Sequence, residues 1–224
     1  MRRTLAIAFR LTLPVLAGYL ILGIGFGVLL RRAGYGAGWA AFMSAGIYAG
    51  AMQYVAVDLL ATGAGVLEAA VMTLTVNARH LFYGVTMASR YRDTGAAKPY
   101  LALTLTDETF ALLSTSTVPE GVSPTAFYVS VSLLDHLYWV AGSVIGSLLG
   151  MLPFDFTGIG FSMTALFAAM LAEQWRHKSA RIGVLTGLGS ALVCLLLLGP
   201  GRFAVPAILL AMGALLAMGR GEGR

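Results

Sequence analysis

The chain reads as an all-α integral membrane protein, and three observations carry that reading. Of its 224 residues 58% are hydrophobic and only 11% charged, with mean hydropathy +0.81. Soluble domains carry about 25% charged residues. Apolar runs long enough to cross a bilayer, at about 20 residues each, follow one another without a polar stretch in which a soluble domain could sit. Glycines recur every four residues at Gly23/Gly27, Gly46/Gly50 and Gly142/Gly146/Gly150, a spacing that lets helix backbones approach closely. A single polytopic membrane domain, residues 1–224, with about seven transmembrane helices plus a broken or re-entrant element, is the expected architecture.

The elements follow in order. Residues 14–30 form a first span, its helix turn starting at Pro14. The positive N-terminus ahead of it resembles a signal peptide, but the apolar run continues to Leu30 without a cleavage site, so an uncleaved helix is expected. Residues 39–60 form the second. Ser44, Tyr48 and Gln53 cannot share one face of an unbroken helix, and a local break within residues 46–50 reconciles them. Residues 67–88 form the third, followed by a basic loop with Arg90, Arg92 and Lys98. Residues 100–117 are long enough to span but carry Asp107 and Glu108 at their centre. Adjacent carboxylates at that depth are costly in a lipid-facing helix, so a re-entrant or broken element lining a cavity is expected. Residues 126–149, 159–171, 182–198 and 203–218 complete the set. The basic clusters at Arg31/Arg32, Arg90/Arg92/Lys98, Arg176/Lys178/Arg181 and the tail at Arg220 and Arg224 share one side only if residues 100–117 do not cross. That gives seven crossings with the N-terminus outside; an eight-crossing arrangement, N-terminus inside, hides Arg2, Arg3 and Arg10 but splits the basic loops. Gly23, Gly27, Met43, Ser44 and Ala45 parallel Gly142, Gly146, Met163, Thr164 and Ala165, the pattern of an inverted repeat.

The net charge of +5 does not indicate nucleic acid, because the basic residues sit in short loop clusters rather than on one face. Cys194 alone excludes an intrachain disulfide. The three histidines lack metal-ligand spacing, and no phosphate loop or nucleophile elbow is present, so neither metal nor cofactor is expected and a soluble-type enzyme has no support. An intramembrane enzyme using Asp135 and His136 lacks an accompanying nucleophile.

The third span contains VNARHLFYG, residues 76–84. A guanidinium at bilayer depth costs at least a few kcal/mol unless it meets a partner or a water-filled cavity. Arg90 and Arg92 follow some 15 Å further along a helix at about 1.5 Å per residue, which places Arg79 well inside. Asn77 either caps a half-helix starting at Ala78, presenting free N–H groups to a substrate carboxylate, or joins helices by hydrogen bonds. Asp107 and Glu108 neutralise Arg79, bind an ammonium or carry a proton, unless they lie in a solvated loop. Asp135 and His136 are mid-span proton-relay candidates, or a buried ion pair with Arg79. The expected substrate-binding set is Gln53, Tyr54, Asn77, Arg79, His80, Asp107 and Glu108. The expected proton-coupling set is Asp107, Glu108, Asp135 and His136.

GIGFGVL (23–29), SAGIYAGAMQYVAV (44–57), VNARHLFYG (76–84), LTDETFALL (105–113) and FSMTALFAAML (161–171) together resemble the AzlC-type family, the large subunit of bacterial branched-chain amino acid exporters. The resemblance implies about seven spans, export of branched-chain or similar small amino acids across the bacterial cytoplasmic (inner) membrane, and a small AzlD-type membrane subunit as partner. It also admits a homo-oligomer. The alternative is a non-transporting assembly or regulatory subunit whose polar core only fixes helix packing.

Overall fold

A computed structural model describes residues 2–153, 157–176, 178–199 and 203–219. His177, Pro200, Gly201 and the basic tail at Arg220 and Arg224 lie outside the described residues. Among the described residues every regular element is a helix: α1 (Arg2–Arg32), α2 (Ala37–Gly46), α3 (Gly50–Thr62), α4 (Val66–Met87), α5 (Lys98–Leu103), α6 (Asp107–Thr115), α7 (Pro124–Leu149), α8 (Phe161–Arg176), α9 (Arg181–Leu198) and α10 (Ala204–Gly219). By length and composition α1, α7 and α9 can cross a membrane, and α10 contains a shorter apolar helix. α4 has the length, but Asn77, Arg79 and His80 lower its hydropathy.

The chain divides into two compact units. The first comprises Met1–Ala69 and Val76–Ser162, the second Ala70–Thr75 and Met163–Arg224. The first is built on α1 and α7, which pack along their lengths. Gly23 and Gly27 of α1 lie against the α7 backbone at Gly142, Ser143 and Gly146, and Gly146 lies against Ile24. A Cβ at Gly27 would collide with the Ser143 carbonyl oxygen and come 2.6 Å from the Ser147 nitrogen. The small residues thus set how near the helices come, as their spacing predicts. Aromatic rings fill the flank of this seam. Trp139 is edge-on to Tyr19 at 5.4 Å between centroids and stacked with Phe26 at 6.4 Å.

Two expectations about helix ends are corrected. α1 does not start at Pro14; it runs through that residue from Arg2. A mid-helix proline removes one backbone bond, here the one the Arg10 carbonyl would accept; the Thr12 hydroxyl donates to the neighbouring Phe9 carbonyl at 3.2 Å. Nor does a half-helix begin at Ala78, since α4 is continuous across Asn77.

The two breaks expected in residues 39–60 and 100–117 are present. α2 ends at Gly46 and α3 restarts at Gly50, with Tyr48 between them at φ 42°. That conformation is a strain for a bulky residue. α5 and α6 are separated at Thr104–Thr106, and Thr106 caps α6 by accepting the Thr109 N–H at 3.4 Å. The far end of α6 is closed by Arg90, whose guanidinium donates to the carbonyls of Leu113, Ser114 and Ser116 at 2.5, 2.9 and 2.9 Å. A cation on the last carbonyls of a helix also suits its dipole. Met87, Tyr91, Leu101, Leu105, Leu113, Phe127 and Val131 bury against one another around this break.

In the second unit α9 and α10 pack on one another. Arg181 lies over the Trp175 ring at 5.5 Å and donates to the Trp175 carbonyl at 2.9 Å.

Candidate functional site

The first unit places most of the charged and polar residues singled out above around the start of α6. Asp107 and Glu108 occupy its first turn, where the helix dipole favours negative charge. Asp107 faces α4. Its Oδ2 pairs with Arg79 Nη2 at 2.8 Å, and its Oδ1 accepts the Tyr83 hydroxyl at 2.6 Å. The Tyr83 ring stacks on Phe110 of α6 at 4.4 Å. Arg79 therefore meets a carboxylate rather than reaching away from every acid. The pair is unsaturated, since Arg79 Nε is buried without a partner among the described residues, as is Asn77 Oδ1.

Glu108 faces the opposite way, accepting the Tyr19 hydroxyl of α1 at 2.7 Å. Tyr19 also meets the Thr106 hydroxyl at 2.6 Å. Asp135 of α7 is fully buried; its Oδ2 accepts the Thr109 hydroxyl at 2.9 Å, and its Oδ1 is unpartnered among the described residues. His136 is held by contacts on both ring nitrogens. Nε2 lies 3.2 Å from the Ser44 carbonyl and Nδ1 lies 3.3 Å from the Tyr100 hydroxyl. A carbonyl only accepts, so Nε2 carries the hydrogen and Nδ1 takes that of Tyr100. Tyr48 packs on this imidazole at 4.3 Å, with its own hydroxyl buried and unpartnered among the described residues.

Gln53 and Tyr54 sit elsewhere. Gln53 is fully buried, donating to Ser44 Oγ at 3.1 Å and accepting Trp139 Nε1 at 2.8 Å. Tyr54 donates to the Leu22 carbonyl of α1 at 2.6 Å. Both tie α3 to the α1–α7 seam.

A cavity of about 210 Å³ opens at the two broken helices, lined by Tyr48, Asn77 and His80 with the apolar Ile47, Leu103 and Leu105 among its walls. At about 30 Å³ per water it holds roughly seven, the scale of a small amino acid rather than of a large ligand. Its polar wall comes from Tyr48, Asn77 and His80; Arg79 and Asp107 are not among its lining residues and pair beside it, Arg79 lying between Asn77 and His80 on α4.

The description AzlC protein fits residues 14–152. That stretch lies within the first unit apart from residues 70–75. The chain belongs to the AzlC family. It is similar to the "Branched-chain amino acid transport protein AzlC" of Bacillus subtilis strain 168, at 42% identity over 94% of this chain and 84% of that one. It is similar to an "Uncharacterized membrane protein" of Helicobacter pylori strain 26695, at 44% identity over 93% and 92%. "Inner membrane protein YgaZ" of Escherichia coli K12 is 29% identical over 79% and 78%. No solved structure matches. The AzlC-type motif VNARHLFYG thus contributes the Arg79 side of the ion pair, and LTDETFALL contributes the Asp107 side.

Tyr19, Tyr83, Thr106 and Thr109 escaped the sequence reading. Thr106 had a signal: a threonine directly before two acids is a helix-start pattern. Tyr19 had none, being a single aromatic in an apolar run; Tyr83 had one, lying four residues after Arg79 in VNARHLFYG and so on the same helix face.

Proposed function

We propose that this AzlC-family chain is the large subunit of an exporter for branched-chain or similar small amino acids in the bacterial inner membrane. In this reading it is driven by proton antiport, works with a small AzlD-type subunit, and crosses the membrane seven times with its two halves inverted. The names of the Bacillus and Escherichia relatives support the substrate class and the membrane. The observation that carries the reading is the Arg79–Asp107 pair, about 29% exposed on each side chain, with Asn77 and His80 beside it on the cavity wall. A zwitterion entering there exchanges the internal pair for two substrate contacts, its carboxylate on Arg79 and its ammonium on Asp107. The internal pair holds the empty site together and keeps either charge from standing alone. Glu108 and Asp135 then carry the coupled proton.

Everted vesicles from cells expressing this chain with the small subunit provide the test. Leucine or valine accumulation that rises with an imposed pH gradient, and vanishes in Arg79→Met with the protein still folded, is the expected result. A flux per folded molecule unchanged in Arg79→Met would instead assign the polar core to packing, as in a non-transporting assembly subunit.

A further inference from the structure

We propose that Glu108 and Asp135 hold one proton between them and exchange it along the hydroxyls of Tyr19, Thr106 and Thr109. The assignment rests on counting hydrogens. The oxygens form a chain: Glu108 Oε2 to Tyr19 at 2.7 Å, Tyr19 to Thr106 at 2.6 Å, Thr106 to Thr109 at 3.1 Å, and Thr109 to Asp135 Oδ2 at 2.9 Å; the Tyr48 hydroxyl lies beside Tyr19 and Thr106 without a hydrogen bond to either. Tyr19, Thr106, Thr109 and Asp135 are all buried. The three contacts at 2.6, 2.7 and 2.9 Å each need a hydrogen, and the 3.1 Å contact between Thr106 and Thr109 has room for one. With both carboxyls ionised, Tyr19 donates to Glu108, Thr106 to Tyr19 and Thr109 to Asp135, which leaves the Thr106–Thr109 contact bare and a charged Asp135 fully buried. One proton on either acid completes the line. A second would sit on an outer carboxyl oxygen, and Asp135 Oδ1 has no partner there among the described residues.

The two filled states are mirror images. With Glu108 protonated, every hydroxyl points toward Asp135; with Asp135 protonated, every hydroxyl points toward Glu108. Passage between them breaks the Glu108 O–H bond, forms a new O–H bond at each hydroxyl as its old one breaks, and ends with an O–H bond on Asp135. One proton is transferred and no electron moves. The other ionisable neighbours are Asp107 and Arg79, already paired with each other, Tyr48, which faces both acids, and the oriented His136 next to Asp135.

This deepens the proton-antiport reading and rests on it for its transport consequence, while the shared proton itself is an equilibrium property. Infrared spectra of the full-length chain in lipid give that property directly. The expected result is a protonated-carboxyl band lost equally in Glu108→Gln, in Asp135→Asn and in the double variant, because an amide at either end supplies the missing hydrogen. A band that survives either single change, or a double variant that loses twice as much, overturns the shared proton. In vesicles, Thr109→Val should keep substrate exchange while gradient-driven flux falls roughly a hundredfold, the scale of a lost proton-transfer group, and Thr109→Ser should restore it. Gradient-driven flux in Thr109→Val equal to wild type overturns the relay. A wild type whose flux ignores the gradient while the shared band is present overturns proton antiport and upholds the shared proton.

Discussion

Gly27→Ala isolates the feature that brings Tyr19 within reach of the α6 start. A methyl at Gly27 meets backbone on α7, at the Ser143 oxygen and at the Ser147 nitrogen 2.6 Å away. Ordinary contact begins at 3.4 Å, so α1 and α7 must part by about 1 Å, a gap that forfeits a quarter to a half of the dispersion between facing atoms. The obstructing atoms are backbone, so no side chain can swing aside. Overpacking costs about 1–3 kcal/mol, and this site belongs at the upper end. The alanine's better helix propensity returns about 0.5–1 kcal/mol, leaving a net loss of about 2 kcal/mol. Gly84→Ala is the control, because a Cβ there meets nothing within 4 Å and only the propensity gain remains. Thermal unfolding in lipid nanodiscs, followed by tryptophan fluorescence, reads both. If Gly27→Ala melts with the wild type or above it, the close approach is not setting the helix spacing and the argument fails.

Other consequences follow from the same geometry. Asp107→Asn strands the Arg79 charge and should lower stability by about 1–3 kcal/mol; Arg79→Met with Asp107→Leu should recover most of it while leaving transport dead, as paired melting and flux measurements will show. Tyr48→Phe removes a hydroxyl unpartnered among the described residues and should leave melting within about 0.5 kcal/mol of wild type, yet lower leucine flux if that hydroxyl meets substrate in the cavity. Arg90→Met frees the carbonyls of Leu113, Ser114 and Ser116 and should cost about 1–3 kcal/mol, seen as faster amide exchange through α6.

The sequence by itself carried whatever depends on near neighbours in the chain. Glycine spacing of four residues foretold a close-packing stripe on α1 and another on α7, because helical periodicity converts that spacing into a stripe, but not that the two face each other; at Gly46/Gly50 it misled, since these belong to different helices and a Cβ at Gly46 meets nothing within 4 Å. The misfit of Ser44 and Gln53 on one helix foretold the break at Tyr48, and two acids in an apolar run foretold the break before α6. The same local reasoning failed at Asn77, where a polar residue resembled a cap although α4 continues through it. It also read Arg90 only as a loop charge, when its hydrogen bonds close α6. Only the tertiary structure could decide which distant hydroxyls meet: Tyr19 and Thr106 lie 87 positions apart and touch at 2.6 Å. Helical period fixes which side a residue faces, but the partner waiting on that side depends on how closely two helices pack, and here the missing Cβ atoms of Gly23, Gly27 and Gly146 set that distance.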